Sequence, residues 1–313
     1  MPRRAAAIVL LLAALGGCRA PAGDGIAAES MQLSPETSLP ARLGAVEVLS
    51  ITKLTSARPW FGGISGLSYD DRTVTAINDV GHWLRFRMDV DAQGRPTSFA
   101  DLEVAPLGGL DGSRDDGDAE EVRLTADGWL VSFERRHRLL LYGADLSGQP
   151  TRPALPAGYE LQPENGGVEA MTPLADGSLL LLSEEGVNED GLGQAWIGRP
   201  GAWRTLSYRR SGQFRPTSAT LLPGGDVLVL ERSFSLLGGF SSRLVRVAAA
   251  DLRPGAVIAG RELFTLRSPM LVDNYEGISV HQRQDGRLVA YLIADDNFSV
   301  FQATLLMAVL LPE

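Results

Sequence analysis

The chain has 313 residues, with 29 basic against 38 acidic side chains and a net charge of −9. An acidic surface of this kind repels a phosphate backbone and argues against nucleic acid as a partner. One cysteine excludes an internal disulfide framework, and 35 glycines with 18 prolines suit short strands and tight turns.

At the N-terminus, Arg3 and Arg4 precede an apolar run from Ala5 to Ala14. That run is too short for a hydrocarbon core of about 30 Å, which takes roughly 20 residues. It leads into Leu15-Gly16-Gly17-Cys18, which resembles the lipobox of bacterial lipoproteins. The resemblance implies a signal segment over residues 1–18 and a lipid on Cys18. Arg19, rather than Asp, follows the cysteine and points to the periplasmic side of the outer membrane. The membrane would then be touched only through the lipid. An ordinary signal peptide of a soluble periplasmic or secreted protein is the alternative. Residues 19–40 are rich in Ala, Gly, Pro and Ser and read as a flexible tether.

Residues 41–313 carry a repeating phrase and no linker, so they read as one domain. The phrase is an acid, a short apolar stretch, Asp-Gly, and an apolar run that ends in acid. One copy is Asp118-Ala119-Glu120-Glu121 followed by Asp127-Gly128 and a run to Glu134-Arg135. A second starts at Val168-Glu169 and ends at Glu184. A third starts at Pro216-Thr217 and ends at Glu231-Arg232, and the last runs from Tyr275-Glu276 to Asp295. Glu120, Glu169, Thr217 and Glu276 recur at intervals of 49, 48 and 59 residues, and Ser65 lies 55 residues before Glu120. Repeats of this length with several short strands predict an all-β fold, a β-propeller. Five blades are expected, with six as the alternative. Each repeat divides into four strand candidates, but the last is one strand short. The segment Ala45–Leu54 has no repeat of its own and is expected to close the last blade.

Strands of a blade run alternately up and down, so starts of innermost strands and ends of second strands share one face. That rule brings Glu120, Glu169 and Glu276 to one rim with Asp79, Glu134, Glu184, Glu231 and Asp295. Crowded carboxylates repel one another unless cations neutralise them, and all-oxygen sites suit Ca²⁺. Candidate ligands are Glu120, Glu169, Glu276, Asp79, Asp295 and Asn274. Arg135 and Arg232, each just after an acid, are suited to phosphate. The bland reading of the same residues is strand-end acids that bond loop amides, with rim salt bridges. His82, His137 and His281 have no zinc-site spacing, and Trp60, Trp83, Trp129, Trp196 and Trp203 are expected to pack between blades.

Together these phrases resemble the bacterial phytase-like family known as "esterase-like activity of phytase". The residues that carry the likeness are Gly62-Gly63-Ile64-Ser65-Gly66-Leu67, Asp118-Ala119-Glu120, Gly167-Val168-Glu169-Ala170, Arg215-Pro216-Thr217-Ser218 and Asn274-Tyr275-Glu276-Gly277-Ile278. The likeness covers roughly residues 45–310 and implies a propeller that hydrolyses phosphoesters or esters. Ser65 and Thr217 depart from the pattern by standing where other repeats have Glu.

The expected function is envelope-anchored, Ca²⁺-dependent phosphoester hydrolysis. Glu120, Glu169 and Glu276 would be the central catalytic residues, with Arg135 and Arg232 on the phosphate. The substrate would be a small phosphorylated or ester molecule and the protein a monomer. One alternative is a metal-dependent lactonase or esterase using Glu169, Asn274 and Asn78. The other is a non-enzymatic binding module, with Phe234–Phe240 as a contact loop or a packed hairpin.

Overall fold

A computed structural model describes residues 24–313. The signal segment and Cys18 lie outside the described residues. Five sheets form five blades, and their innermost strands contact one another in a closed ring. The first blade holds Ile64–Asp70, Thr73–Asn78, His82–Val90 and Pro96–Pro106. The second holds Ala119–Thr125, Gly128–Phe133 and Arg138–Tyr142. It has three strands rather than the expected four; a lone bridge from Leu141 to Thr151 stands where the fourth would be.

The third blade holds Val168–Pro173, Leu179–Val187, Gly193–Arg199 and Ala202–Tyr208, with Val257–Ile258 added in parallel at its edge. The fourth holds Arg215–Leu221, Val227–Ser235, Gly239–Val247 and Arg261–Arg267. The fifth starts with Asn274–Gln282, Leu288–Asp295 and Leu305–Leu310. Val46–Ser56 completes it by pairing with Leu305–Leu310, as expected for a closing strand.

The tether reading of residues 19–40 is corrected in part. Ile26–Met31 forms a strand that pairs antiparallel with Val46–Ser56 and covers the edge it would otherwise leave open. Ala rather than a large side chain occupies much of this strand, and edge strands need little burial, so composition concealed it.

Continuous apolar runs become strands because each blade packs on two neighbours. In Leu179–Val187, Leu179 and Leu181 enter the core shared with the second blade, and Leu180 and Leu182 enter the core shared with the fourth. Successive side chains point to opposite faces, so both faces must be apolar. Each such leucine contributes about 1.5–3 kcal/mol on burial. Five inter-blade cores result, one for each pair of neighbours.

Candidate functional site

The site is built on one irregularity that recurs in every blade. The innermost and second strands slip register once, and the slip leaves one unpaired residue each time: Ser65, Glu120, Glu169, Thr217 and Glu276. A bulge of this kind re-aims a side chain. Here it turns the five residues to the mouth of the ring. The second strands set Asp79, Glu134, Glu184, Arg232 and Asp295 beside them: Glu184 and Arg232 lie within their strands, Asp295 is the last residue of its strand, and Asp79 and Glu134 directly follow theirs. The parity of each strand sets which way these five lean. Glu184 shares its face with Leu180 and Leu182, which pack on the fourth blade, and it meets Arg232 there.

One expected rim residue is corrected by the same alternation. Glu231 lies one position too early. It shares a face with Val227 and Val229, accepts from Tyr208 at 2.9 Å and pairs with Arg243 at 2.6 Å between the blades. Arg232 takes the rim position instead. Its guanidinium donates to Glu184, Glu276 and Asn274, each at 2.8 Å. Here the guanidinium, expected to meet phosphate, serves as counter-ion to these acids. Neighbouring Glu276, Glu169 and Glu184 charges outweigh burial and hold its pKa above the usual arginine value.

Two triads of carboxylates overlap on the other side of the mouth. One oxygen each of Asp118, Glu120 and Glu134 lie within 4.8 Å of one another, and so do those of Glu134, Glu169 and Glu184. Glu134 joins them. Its Oε1 accepts from the backbone amides of Gly166 and Gly167 in the next blade, the latter at 2.7 Å. Glycine is required at this approach: Gly166 has φ +135°, and a side-chain carbon at Gly167 would meet the His137 ring at 2.7 Å. Arg135 pairs with Asp118 and is partly exposed, so it remains at the edge of the mouth.

Burial pushes the carboxylates up. Glu120 and Glu169 rise well above the usual range through desolvation, reinforced by the carboxylates around them. Desolvation takes Glu134 and Glu276 to about 7, with Glu184 adding repulsion at each. Asp79 is pushed to about 6 by burial and then Asp118, and Asp295 to about 9 by burial and then Glu276. Asp79 Oδ1 is buried without a hydrogen-bond partner. Asp295 accepts only a local bond from the Asn297 amide, at 2.6 Å.

An all-oxygen donor set with excess negative charge fits a hard divalent cation. The sequence reading brought Glu120, Glu169, Glu276, Asp79, Asp295 and Asn274 to this mouth, and all six are there. It gave Asp118, Glu134 and Glu184 no ligand role, although these complete the triads. Asn274 is held by Glu276, to which its amide donates at 2.8 Å, and by Arg232. Asn78 is engaged below the rim, donating to the Trp60 carbonyl at 3.0 Å and accepting from the His82 amide at 2.8 Å. Both ends of its side-chain amide are thus engaged, as are those of Asn274.

The floor of the mouth is closed by a residue that sequence reasoning missed. Arg123 lies buried on the axis and donates to carbonyls of the four other blades: Leu67, Met171, Ala219 and Ile278. It also pairs with Glu121 at 2.8 Å and donates to Ser218 Oγ at 2.9 Å. A charged residue in the innermost strand Ala119–Thr125 was the available signal.

Among known proteins, solved structures with similar folds include the α-L-arabinofuranosidase of Podospora anserina in complex with cellotriose. It is 13% identical with a TM-score of 0.48, and the match covers 82% of this chain and 94% of that one. A putative glycosidase from Bacteroides thetaiotaomicron is 12% identical with a TM-score of 0.47, covering 79% and 86%. A hypothetical protein from Leishmania major is 12% identical with a TM-score of 0.45, covering 79% and 84%. No curated protein matches the chain. The family described as "Phytase-like: Esterase-like activity of phytase" matches residues 59–298, well over half of the sequence and all of the carboxylate mouth, and the chain belongs to that family.

Proposed function

We propose that the protein is a Ca²⁺-dependent phosphoester hydrolase, anchored by Cys18 to the periplasmic face of the outer membrane. The observation that carries this is the surplus of buried carboxylates at the mouth, where Arg232 and, at the edge, Arg135 leave the acids in excess. Glu120, Glu134 and Glu169, with Asp118 and Glu184, would hold the metal. Bound there, calcium would neutralise the carboxylates, draw in phosphate oxygens and acidify a water. Arg135, at the edge of the mouth, would contact the phosphate. Asp79 Oδ1, unpartnered and with a pKa of about 6, is suited to accept the proton of the attacking water. Arg232 would hold Glu276 and Glu184 in place through its hydrogen bonds to both. Arg123 and Glu121 close the floor, so solvent reaches the mouth from one side. The substrate would be a small phosphorylated molecule, and a monomer suffices because all these groups come from one chain.

A second reading rests on the hairpin Val227–Ser235/Gly239–Val247. Phe234, Leu236 and Leu237 stand out at its tip, with Leu237 fully exposed. That supports the contact loop over the packed hairpin, and with it a binding module in which calcium serves recognition.

The test is to strip the protein with EDTA and assay phytate, a phosphate monoester, a phosphodiester and a simple lactone with and without Ca²⁺. Calcium-restored phosphate release or diester cleavage upholds the hydrolase reading. Cleavage of the lactone alone moves the assignment to a metal-dependent esterase. Silence on all four substrates, with calcium still raising the melting temperature, favours the binding module.

A further inference from the structure

A cavity of about 560 Å³ opens beside the carboxylate mouth, with Asp79 in its wall. The Trp60 and His82 rings stack in it, centroids 4.9 Å apart and planes 19° from parallel. Leu107, Leu110 and Phe298 form its other apolar walls, and Arg114 stands at its edge. Trp60 was expected to pack between blades, but it lies in a loop, about half exposed, and belongs to none of the five cores. Phe298 is likewise about half exposed.

The backbone around the cavity is strained where these rings are presented. Trp60 has φ +66°, and Asn297 and Phe298 each have φ +48°. Aromatic residues in the left-handed region are uncommon and persist only where surrounding structure holds them. Here Asp296 holds them. Its Oδ1 accepts from the Gly63 amide at 2.9 Å and the Phe298 amide at 3.0 Å, while Thr304 donates to Oδ2 at 2.9 Å. A side-chain carbon at Gly63 would lie 2.3 Å from the Phe298 ring and 2.4 Å from Asp79 Oδ1. The missing side chain thus seats the aromatic wall directly against the rim carboxylate.

The Asp79 Oδ1 and the Arg114 guanidinium make no hydrogen bond among the described residues, and the cavity's other polar side chains are mostly engaged. Ser113 Oγ caps a short helix by accepting from the Asp116 amide, and the Asn297 side-chain Nδ2 donates to Gln302 Oε1. His82 Nδ1 is engaged by the Val80 carbonyl at 3.1 Å, which leaves its Nε2. Burial lowers the His82 pKa, so the ring is a neutral aromatic surface near pH 7. Rings above, leucines at the side and few free polar groups suit a flat apolar ring better than a sugar, which needs a fixed partner for each hydroxyl.

We propose that this cavity seats an aromatic ring carried by the ester substrate, against Trp60 and Phe298, with the reacting group facing the carboxylate mouth. The substrate class is then an aryl ester of phosphate, an inference that rests on the hydrolase reading for its turnover. The test compares 2-naphthyl phosphate with n-butyl phosphate, and measures 2-naphthol binding by calorimetry, on the full chain. Phe298→Ala removes one wall. Trp60→Gly removes the other and suits the positive φ, so it keeps the fold. The native protein should bind 2-naphthol and favour the naphthyl ester. Each variant should weaken binding and that preference about tenfold, with an unchanged melting temperature. If neither ester turns over, the hydrolase reading fails by itself, and naphthol binding that the variants lose still upholds the ring site. Naphthol binding that is absent, or unaltered in both variants, overturns it. Tighter binding of methyl glucoside than of 2-naphthol does so as well.

Discussion

The floor and the mouth of the ring are both buried, both charged and only one to three residues apart along the strand Ala119–Thr125, yet they are opposite in balance. On the floor, Arg123 reaches carbonyls of four blades and the Glu121 carboxylate, so every charge has a partner within the protein. At the mouth, carboxylates outnumber guanidiniums and repel one another, and Asp79 Oδ1 has no partner at all. The same five-fold scaffold thus holds one cluster complete in itself and one with acids in excess. A buried polar network is stable only when all members are satisfied. The floor therefore belongs to the fold, and the mouth is where the proposed metal would complete the set.

Breaking the floor should have the largest effect. Arg123→Met strands Glu121 and the inward carbonyls and should cost about 3–5 kcal/mol, read as a lower denaturant midpoint. A midpoint within error of the native protein would deny the floor its structural role. At the mouth, the change should fall on activity instead. Glu169→Gln should lower calcium-dependent phosphate release by about 10–100-fold. Its metal-free stability should hold or rise, because one repelling carboxylate is gone. Full activity in this variant would remove Glu169 from the site.

Acidity loads both clusters without mutation, since burial also takes Glu121 on the floor to about 8, and calcium then tells the two apart. Glu134 and Glu276 titrate at about 7 in the fold, above their ordinary 4.5, and Asp295 at about 9, above 3.8. Between those limits the folded state holds more protons than the unfolded chain, so stability falls as pH rises. Metal-free protein should therefore melt higher near pH 5 than near pH 8. Calcium, bound to the ionised carboxylates, should restore more of the melting temperature at pH 8 than at pH 5. An equal calcium shift at both pH values would contradict this. The smallest effect is expected at the exposed hairpin tip, where Leu236 and Leu237 stand four and five residues past Arg232 along the chain and belong to no core. Leu237→Ser should change stability by no more than about 0.5 kcal/mol and leave phosphate release unaltered. A loss of release would show that the tip takes part in turnover.

Much of this was legible in the chain because a propeller repeats itself. Spacing alone placed Glu120, Glu169 and Glu276 at equivalent positions, and one strand too few in the last repeat predicted closure by the segment around Val46–Ser56. The repeat was less informative where a single position matters. Glu231 and Arg232 are adjacent, and only the bulge beside Thr217 decides which of them leans to the mouth. Trp60 reads as a packing residue, but its backbone conformation carries it out of every core. Ile26–Met31 reads as tether, because an edge strand needs a partner more than it needs apolar side chains.

The sequence by itself determined the all-β class, the five-fold repeat and the acidic phase of each blade, because these follow from local periodicity. Tertiary structure decided which charges are paired. Arg123 meets carbonyls 48 to 155 residues distant in the chain, and Arg232 meets acids 44 and 48 residues away. No local pattern encodes such encounters. They arise only when five blades close on one axis and bring every innermost strand within reach of the others.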